Sequence, residues 1–213
     1  QKKGYVVGTW CDIPSPAVAN VIAKAGLDFI IIDMEHGPTD FKLAQEMIMA
    51  AEADGCEAVV RVPGIYEADI LKALDIGGSG IVVPRVQNKN DVDKIIAFSK
   101  YFPEGNRGFN PFIRALGYAS TVKTSESNRN TLIIIIIEDI SSIEKIDEII
   151  TNAQVDVVYL GIYDLAVSMG FADDVKNPAV VEVATRAISR IVALGKVAGC
   201  MINNEDDIIF YKK

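Results

Sequence analysis

The chain has 213 residues, half of them hydrophobic, with a formal net charge of -8 and three cysteines; that length suits one well-buried domain, taken here as a single barrel over residues 1–213. The acidic balance excludes nucleic acid and anionic membrane as partners, because both require a clustered basic face. Cys11, Cys56 and Cys200 lie far apart without C-x-x-C spacing, which excludes a zinc knuckle or disulfide framework and fits a reduced, cytoplasmic setting.

The opening QKKGYVVGTW is too short an apolar run for a signal peptide, and no stretch reaches the roughly 18 apolar residues of a spanning helix. A soluble protein is expected. Along the chain the predicted strands are YVVGTW, DFIIIDME, EAVVRVP, SGIVVPRV, TLIIIIIE, VDVVYLGIYD and GKVAGCMIN. Most are nearly continuous in Val, Ile and Leu, the pattern of parallel strands buried on both faces. Helical patterns alternate with them. SPAVANVIAKAG carries Ser15 as N-cap, Pro16 at the first helical position and Gly26 past the end. TDFKLAQEMIMAAEADG, YEADILKALDIGG, NDVDKIIAFSKYF and SSIEKIDEIITNAQ follow, and NPAVVEVATRAISRIVALG repeats the device with Asn177, Pro178 and Gly195. The long segment YFPEGNRGFNPFIRALGYASTVKTSESNRN breaks the alternation and reads as a binding loop, lid or interface.

Alternating strand and helix give an α/β protein, and the absence of G-x-G-x-x-G after the first strand favours a (β/α)8 TIM barrel over an open sheet. Seven strands are counted, and NNEDDIIFYKK, a predicted helix, stands where another strand is due. The eighth βα unit is therefore apparently absent from this sequence.

Polar residues gather at the carboxyl ends of these strands. Asp33, Glu35 and His36, the sole histidine, close the second; Arg61 the third; Glu138 the fifth; Asp164 the sixth. In a parallel barrel such ends converge on one face, where active sites form. Glu138 and Asp164 offer two hard oxygen donors with no second histidine or nearby cysteine, which suits magnesium, manganese or a similar divalent ion rather than zinc. Such an ion could chelate a 2-oxo acid, with Arg61 a fixed cation for the same oxygens. His36 is the histidine available as general base, and Asp33 could hold its tautomer. Taken singly, each residue has a plainer reading as an ion-pair partner, helix cap or satisfied turn residue. Their joint placement is harder to dismiss, since charge at the end of a buried strand is costly unless paired or coordinated.

IIDMEHGP, VVRVP, LDIGGSGIVVPRV, PEGNRG, IIIE and LGIYDLAVSMG, in this order and spacing, resemble the HpcH/HpaI family of metal-dependent 2-oxo acid aldolases, in the pyruvate kinase-like barrel superfamily. The resemblance runs from Gly8 to about Asn203. It implies reversible cleavage of a 4-hydroxy-2-oxo acid to pyruvate and an aldehyde, with His36 and Asp33 as base dyad and Arg61 steadying the pyruvate oxygen. It also implies Glu138 and Asp164 as ligands of a divalent ion (Mg2+, Mn2+ or Co2+) and Glu35 near the metal-bound water. Asp75 matches a family aspartate at a subunit contact, and the backbone from Gly161 to Tyr163 matches the part that receives the pyruvate carboxylate. The implied assembly is a homo-oligomer, a hexamer of paired barrels that exchange their last helix. Two departures concern the substrate's carbon chain. Gly161-Ile162-Tyr163-Asp164-Leu165-Ala166 stands where many members read G-P-x-D-L-S, and Ile136 where some have glutamine.

Other mechanisms fit less well. A Schiff-base aldolase needs a desolvated lysine at a strand end, and Lys196 precedes its strand. DIGGSG runs from helix into strand and reads as a tight turn rather than a phosphate loop. A lyase of acyl-CoA esters is the nearest enzyme alternative, and a catalytically inactive barrel used for binding is the alternative from another class.

Overall fold

The computed structural model describes residues 4–118, 123–172, 174–204 and 207. In chain order the elements are β1 (Gly8–Cys11), α1 (Pro16–Lys24), β2 (Phe29–Asp33), α2 (Phe41–Glu52), β3 (Glu57–Arg61), α3 (Glu67–Asp75), β4 (Gly80–Val83) and α4 (Lys89–Ser99). A 3-10 turn at Arg114–Leu116 and α5 (Thr124–Asn130) follow, then β5 (Leu132–Ile137), α6 (Ile140–Glu144), α7 (Ile146–Ile149), β6 (Val157–Leu160), α8 (Ile162–Ser168), α9 (Pro178–Ala193) and β7 (Val197–Cys200). The chain divides into two compact units, Gln1–Val83 with Lys94–Ile133 and Pro84–Asp93 with Ile134–Lys213.

In the first unit β1, β2, β3 and β4 pair in parallel in chain order. Ile30, Ile32, Ala58, Val60, Ile81 and Val83 are fully buried, and so, nearly, are their opposite-facing neighbours Ile31, Val59 and Val82. Burial of both faces is what the unbroken apolar runs predicted. The cap read at Ser15 appears, accepting from the Val18 N–H, and Asp40 caps α2 in the same way, accepting from the Leu43 N–H at 2.8 Å. The DIGG stretch forms an αβ turn, closed by the Gly78 N–H on the Ala73 carbonyl at 3.2 Å.

The second unit holds β5, β6 and β7, again parallel and in order. Asn177 caps α9, accepting from the Ala179 N–H at 3.1 Å. Lys196, just before β7, donates to the carbonyls of Asn152 and Val155, each at 2.8 Å. It ties a turn to the amino end of the strand, a structural use of the one lysine considered above for Schiff-base chemistry.

Two expectations change. VDVVYLGIYD is not one strand: β6 ends at Leu160 and α8 begins at Ile162. SSIEKIDEIITNAQ forms two short helices that meet at Lys145. The long segment after α4 is anchored where it is described. Asn128 on α5 is buried, accepting from the Tyr101 N–H at 2.7 Å and donating to the Tyr101 carbonyl at 2.9 Å. Its residues 119–122 lie outside the described residues, as does most of the helix expected in NNEDDIIFYKK. No described helix is long and apolar enough to cross a membrane.

Asn128 satisfies both backbone groups of a buried residue with one amide. Asn128→Ala strands that N–H and carbonyl and lowers the unfolding free energy by about 3 kcal/mol, measured by urea denaturation.

Candidate active site

In the first unit the cluster begins with register. Asp33, last in β2, pairs with Arg61, last in β3. The Asp33 side chain is fully buried, and its carboxylate meets the guanidinium edge to edge: Arg61 Nε donates to Oδ1 at 2.7 Å and Nη2 donates to Oδ2. Oδ1 also accepts the N–H of Glu35 at 2.9 Å and that of His36 at 3.3 Å. The chain thus turns back over the strand end. A Cβ on Gly37 would lie 2.5 Å from the Asp33 carbonyl oxygen, so the tight turn requires glycine there. This is why the chain can double back at Gly37, four residues past the end of β2.

Around this pair lie three further groups. Arg61 Nη1 stands 3.2 Å from the Glu35 carboxylate, and the guanidinium carbon sits 4.4 Å from the centre of the Trp10 ring. Asp12, just past β1, stands level with Asp33, because Cys11 pairs with Ile32. Burial opposes ionisation of Asp33, but the hydrogen bonds from Arg61, Asp12 and the Glu35 N–H hold its carboxyl below the ordinary value. Burial, then the hydrogen bond and charge of Asp33, push the Asp12 carboxyl up, against the pull of Arg61 and His36. Burial also works against the Arg61 charge, and the carboxylates of Asp33, Glu35 and Asp12 more than restore it.

The expected dyad takes a different form. Asp33 reaches His36 through the backbone N–H, its carboxylate being committed to Arg61. The imidazole is 62% exposed, with Nε2 3.9 Å from the Glu35 carboxylate. Asp75 is separated from these residues within the chain. It ends α3, beside the turn into the amino end of β4, whereas Asp33 and Arg61 stand at carboxyl strand ends. Its carboxylate accepts from Arg107 Nη2 at 2.8 Å. A cavity of about 560 Å³ in this unit, lined by Gly77, Arg107, Arg114 and Thr131 among others, includes none of the predicted residues.

In the second unit Ile137 pairs with Leu160, which puts Glu138 and Gly161 at adjoining strand ends. The Arg85 N–H donates to Glu138 Oε1 at 2.8 Å. Asp164 falls in the first turn of α8 rather than at the end of β6, and Tyr163 beside it is 45% exposed. Glu138 and Asp164 line one cavity of about 360 Å³ together with Arg85, Gln87 and Asp139. Gly161 leaves room for the first of them, since a Cβ there would lie 2.7 Å from Glu138 Oε2. The lining carboxylates are hard oxygen donors, without thiolate or imidazole, and fit a divalent ion that keeps waters or substrate oxygens in its remaining positions. Among the described residues no group of three or more His, Cys, Asp or Glu is arranged to hold a metal.

Trp10 and Asp12 escaped the sequence reading. The available signal was the rule already used for Asp33 and Arg61, a polar residue just past an apolar run, because Cys11 pairs with Ile32 and brings Asp12 level with Asp33. Arg85, after IVVP, was open to the same reading.

The comparisons with known proteins agree with one another. The 5-keto-4-deoxy-D-glucarate aldolase of Shigella boydii serotype 18 is 30% identical over 206 residues, covering 96% of this chain and 80% of the relative. The structure of an HpcH/HpaI aldolase/citrate lyase family protein from Burkholderia cenocepacia J2315 matches with a TM-score of 0.92 at 25% identity, over 97% of this chain and 83% of that one. The citrate synthase SbnG matches with a TM-score of 0.88 at 31% identity, over 97% and 81%. The model of the HpcH/HpaI aldolase/citrate lyase family covers residues 7–208. The chain is a member of the HpcH/HpaI aldolase/citrate lyase family and a carbon-carbon lyase by class.

Proposed function

We propose that this chain is a divalent-metal-dependent aldolase that reversibly cleaves a 4-hydroxy-2-oxo acid to pyruvate and an aldehyde. The observation that carries the reading is the carboxylate pair Glu138 and Asp164 on one cavity, a donor set suited to a hard cation such as Mg2+, Mn2+ or Co2+. When bound, that ion supplies Lewis-acid charge beside the keto oxygen. Arg61, oriented by Asp33 and Glu35, steadies the negative charge that gathers on the same oxygen during cleavage. His36, exposed and beside Glu35, takes the proton from the 4-hydroxyl as the carbon-carbon bond breaks and delivers it to the C3 carbon of the resulting enolate to give pyruvate; in the reverse direction it takes a methyl proton from pyruvate and returns it to the new hydroxyl. The backbone from Gly161 to Tyr163 receives the ketoacid carboxylate. The name of the aldolase relatives supports keto-acid cleavage.

The fold that goes with this reading is one (β/α)8 barrel of the pyruvate kinase-like type over residues 1–213, with seven parallel strands among the described residues. The assembly is a cytoplasmic homo-oligomer, a hexamer by resemblance, in which Asp75 serves a neighbouring subunit.

Purified protein with a divalent ion will exchange the methyl protons of pyruvate in deuterated water, and chelation will stop it. No exchange with magnesium, manganese or cobalt overturns the reading, and cleavage of acyl-CoA esters instead moves the chain to the lyase alternative. His36→Ala keeps metal affinity while exchange falls about 100-fold or more; Glu138→Ala and Asp164→Ala abolish binding by calorimetry.

Gly161→Ala tests the Glu138 placement without touching a ligand. Its Cβ displaces the Glu138 side chain, so metal affinity drops at least roughly tenfold, within the range typical of disturbed ligand positioning, while circular dichroism stays that of the parent.

A further inference from the structure

We propose that Ser142 selects the aldehyde: its hydroxyl binds a hydroxyl group on the acceptor, so the substrates are 4-hydroxy-2-oxo acids with a further hydroxyl on the carbon after C4. This rests on the aldolase reading and adds to it the chemical class of the second product, a neutral hydroxyaldehyde.

Ser142 is the third residue of α6, the helix that follows β5 and Glu138. It lines the cavity of about 360 Å³ that also carries Glu138 and Asp164. The residue is 1% exposed, and its Oγ has no hydrogen-bond partner among the described residues. A helical serine or threonine has a ready outlet in the carbonyl three or four residues back. Ser99, Ser168, Thr185 and Ser189 all use it. Ser142 does not, although an unpaired buried hydroxyl costs more free energy than an ordinary hydrogen bond contributes.

Other polar groups on the same wall are already engaged. Glu138 Oε1 accepts the Arg85 N–H at 2.8 Å. Asp139 Oδ1 accepts the N–H and hydroxyl of Ser141 at 2.8 and 2.6 Å. Ser168 accepts the Ile140 N–H at 3.1 Å and donates to the Leu165 carbonyl at 2.8 Å. The Ser142 hydroxyl is thus left to whatever enters the cavity. In the aldolase reading the ketoacid carboxylate goes to the backbone after β6, so the end of the substrate released as aldehyde remains for a group after β5. Charge selects its chemistry: the carboxylates of Glu138, Asp139 and Asp164 cancel a divalent ion and Arg85, which leaves no surplus positive charge for an anionic group. A neutral hydroxyl both donates and accepts. It replaces the hydrogen bond of the water it displaces, whereas a methyl group leaves Ser142 unpaired.

The test offers pyruvate, a divalent ion and one of two acceptors: glycolaldehyde, or propanal, which has methyl in place of the hydroxyl. In each addition the pyruvate methyl carbon gives up a proton and bonds to the aldehyde carbon, whose oxygen takes up a proton, so no further reactant is needed. The kcat/KM ratio of glycolaldehyde to propanal will fall roughly tenfold from wild type to Ser142→Ala, the effect of one buried hydroxyl losing its partner. Comparing that ratio between the two proteins removes the intrinsic difference in reactivity of the aldehydes. The Tm of Ser142→Ala will match or exceed that of wild type, because alanine removes an unsatisfied buried hydroxyl. A ratio unmoved by the substitution overturns the proposal, and so does an effect that falls on the pyruvate KM instead. A lowered Tm also overturns it, since the hydroxyl then already serves the fold. Exchange of the pyruvate methyl protons needs no aldehyde and separates the two failures: exchange without discrimination sinks this proposal alone, and no exchange sinks the aldolase reading with it.

Discussion

One buried charge organises the first unit. Asp33 has no exposure to water, and an isolated carboxylate there would cost several kcal/mol. Its ionised state persists because donors converge on it from two directions: Arg61 through the register of β2 and β3, and the backbone of Glu35 and His36 through the turn. Each donor constrains the chain. Bringing the N–H groups of Glu35 and His36 back onto Oδ1 forces the strand to end, and the closeness of that turn to the Asp33 carbonyl is what confines position 37 to glycine. The exposed imidazole is then a consequence. A backbone that curls inward to satisfy a carboxylate presents the His36 side chain outward.

The second unit handles its carboxylates differently. Glu138 takes a backbone N–H from Arg85, whose φ of 58° is uncommon for a residue with a Cβ and carries strain of about 1–3 kcal/mol. Strain of this kind survives where the surroundings over-determine the backbone, and here its product is a fixed orientation for one glutamate oxygen. Asp164 and Asp139 line the same cavity. Concentrated negative charge is tolerable when a cation can join it, and the Glu138 clearance provided by Gly161 is consistent with that demand.

Most of the strands were legible in the sequence because Ile and Val runs such as IIID and LIIIII have one inexpensive solution, burial on both faces of a parallel sheet. The caps at Ser15 and Asn177 were legible because each solves a local problem, an orphan N–H within three residues. Helix α8 was not. VVYLGIYDLAVS is mostly apolar, broken only by Asp164 and Ser168 among strongly polar groups, and over so short a run the periods of strand and helix do not separate. The site was half legible for a related reason. A charged residue at the end of an apolar run announces that it must be satisfied, but the satisfying group is 28 residues away for Asp33 and Arg61. Sequence position alone assigned Asp33 to its near neighbour His36, and strand register gave it to Arg61.

That exchange of partners bears on how the guanidinium can serve chemistry. Nε and Nη2 are committed to Asp33 in a buried pair whose disruption would strand a charge. Nη1 meets Glu35 at 3.2 Å, a longer contact made by a carboxylate that is also 3.9 Å from the imidazole. In the proposed reaction a ketoacid oxygen therefore competes with Glu35 for Nη1, and Glu35 displaced from Arg61 still has His36 to turn to. Glu35 thus stands between Arg61 Nη1 and the imidazole, while Asp33 holds the other edge of the guanidinium in place.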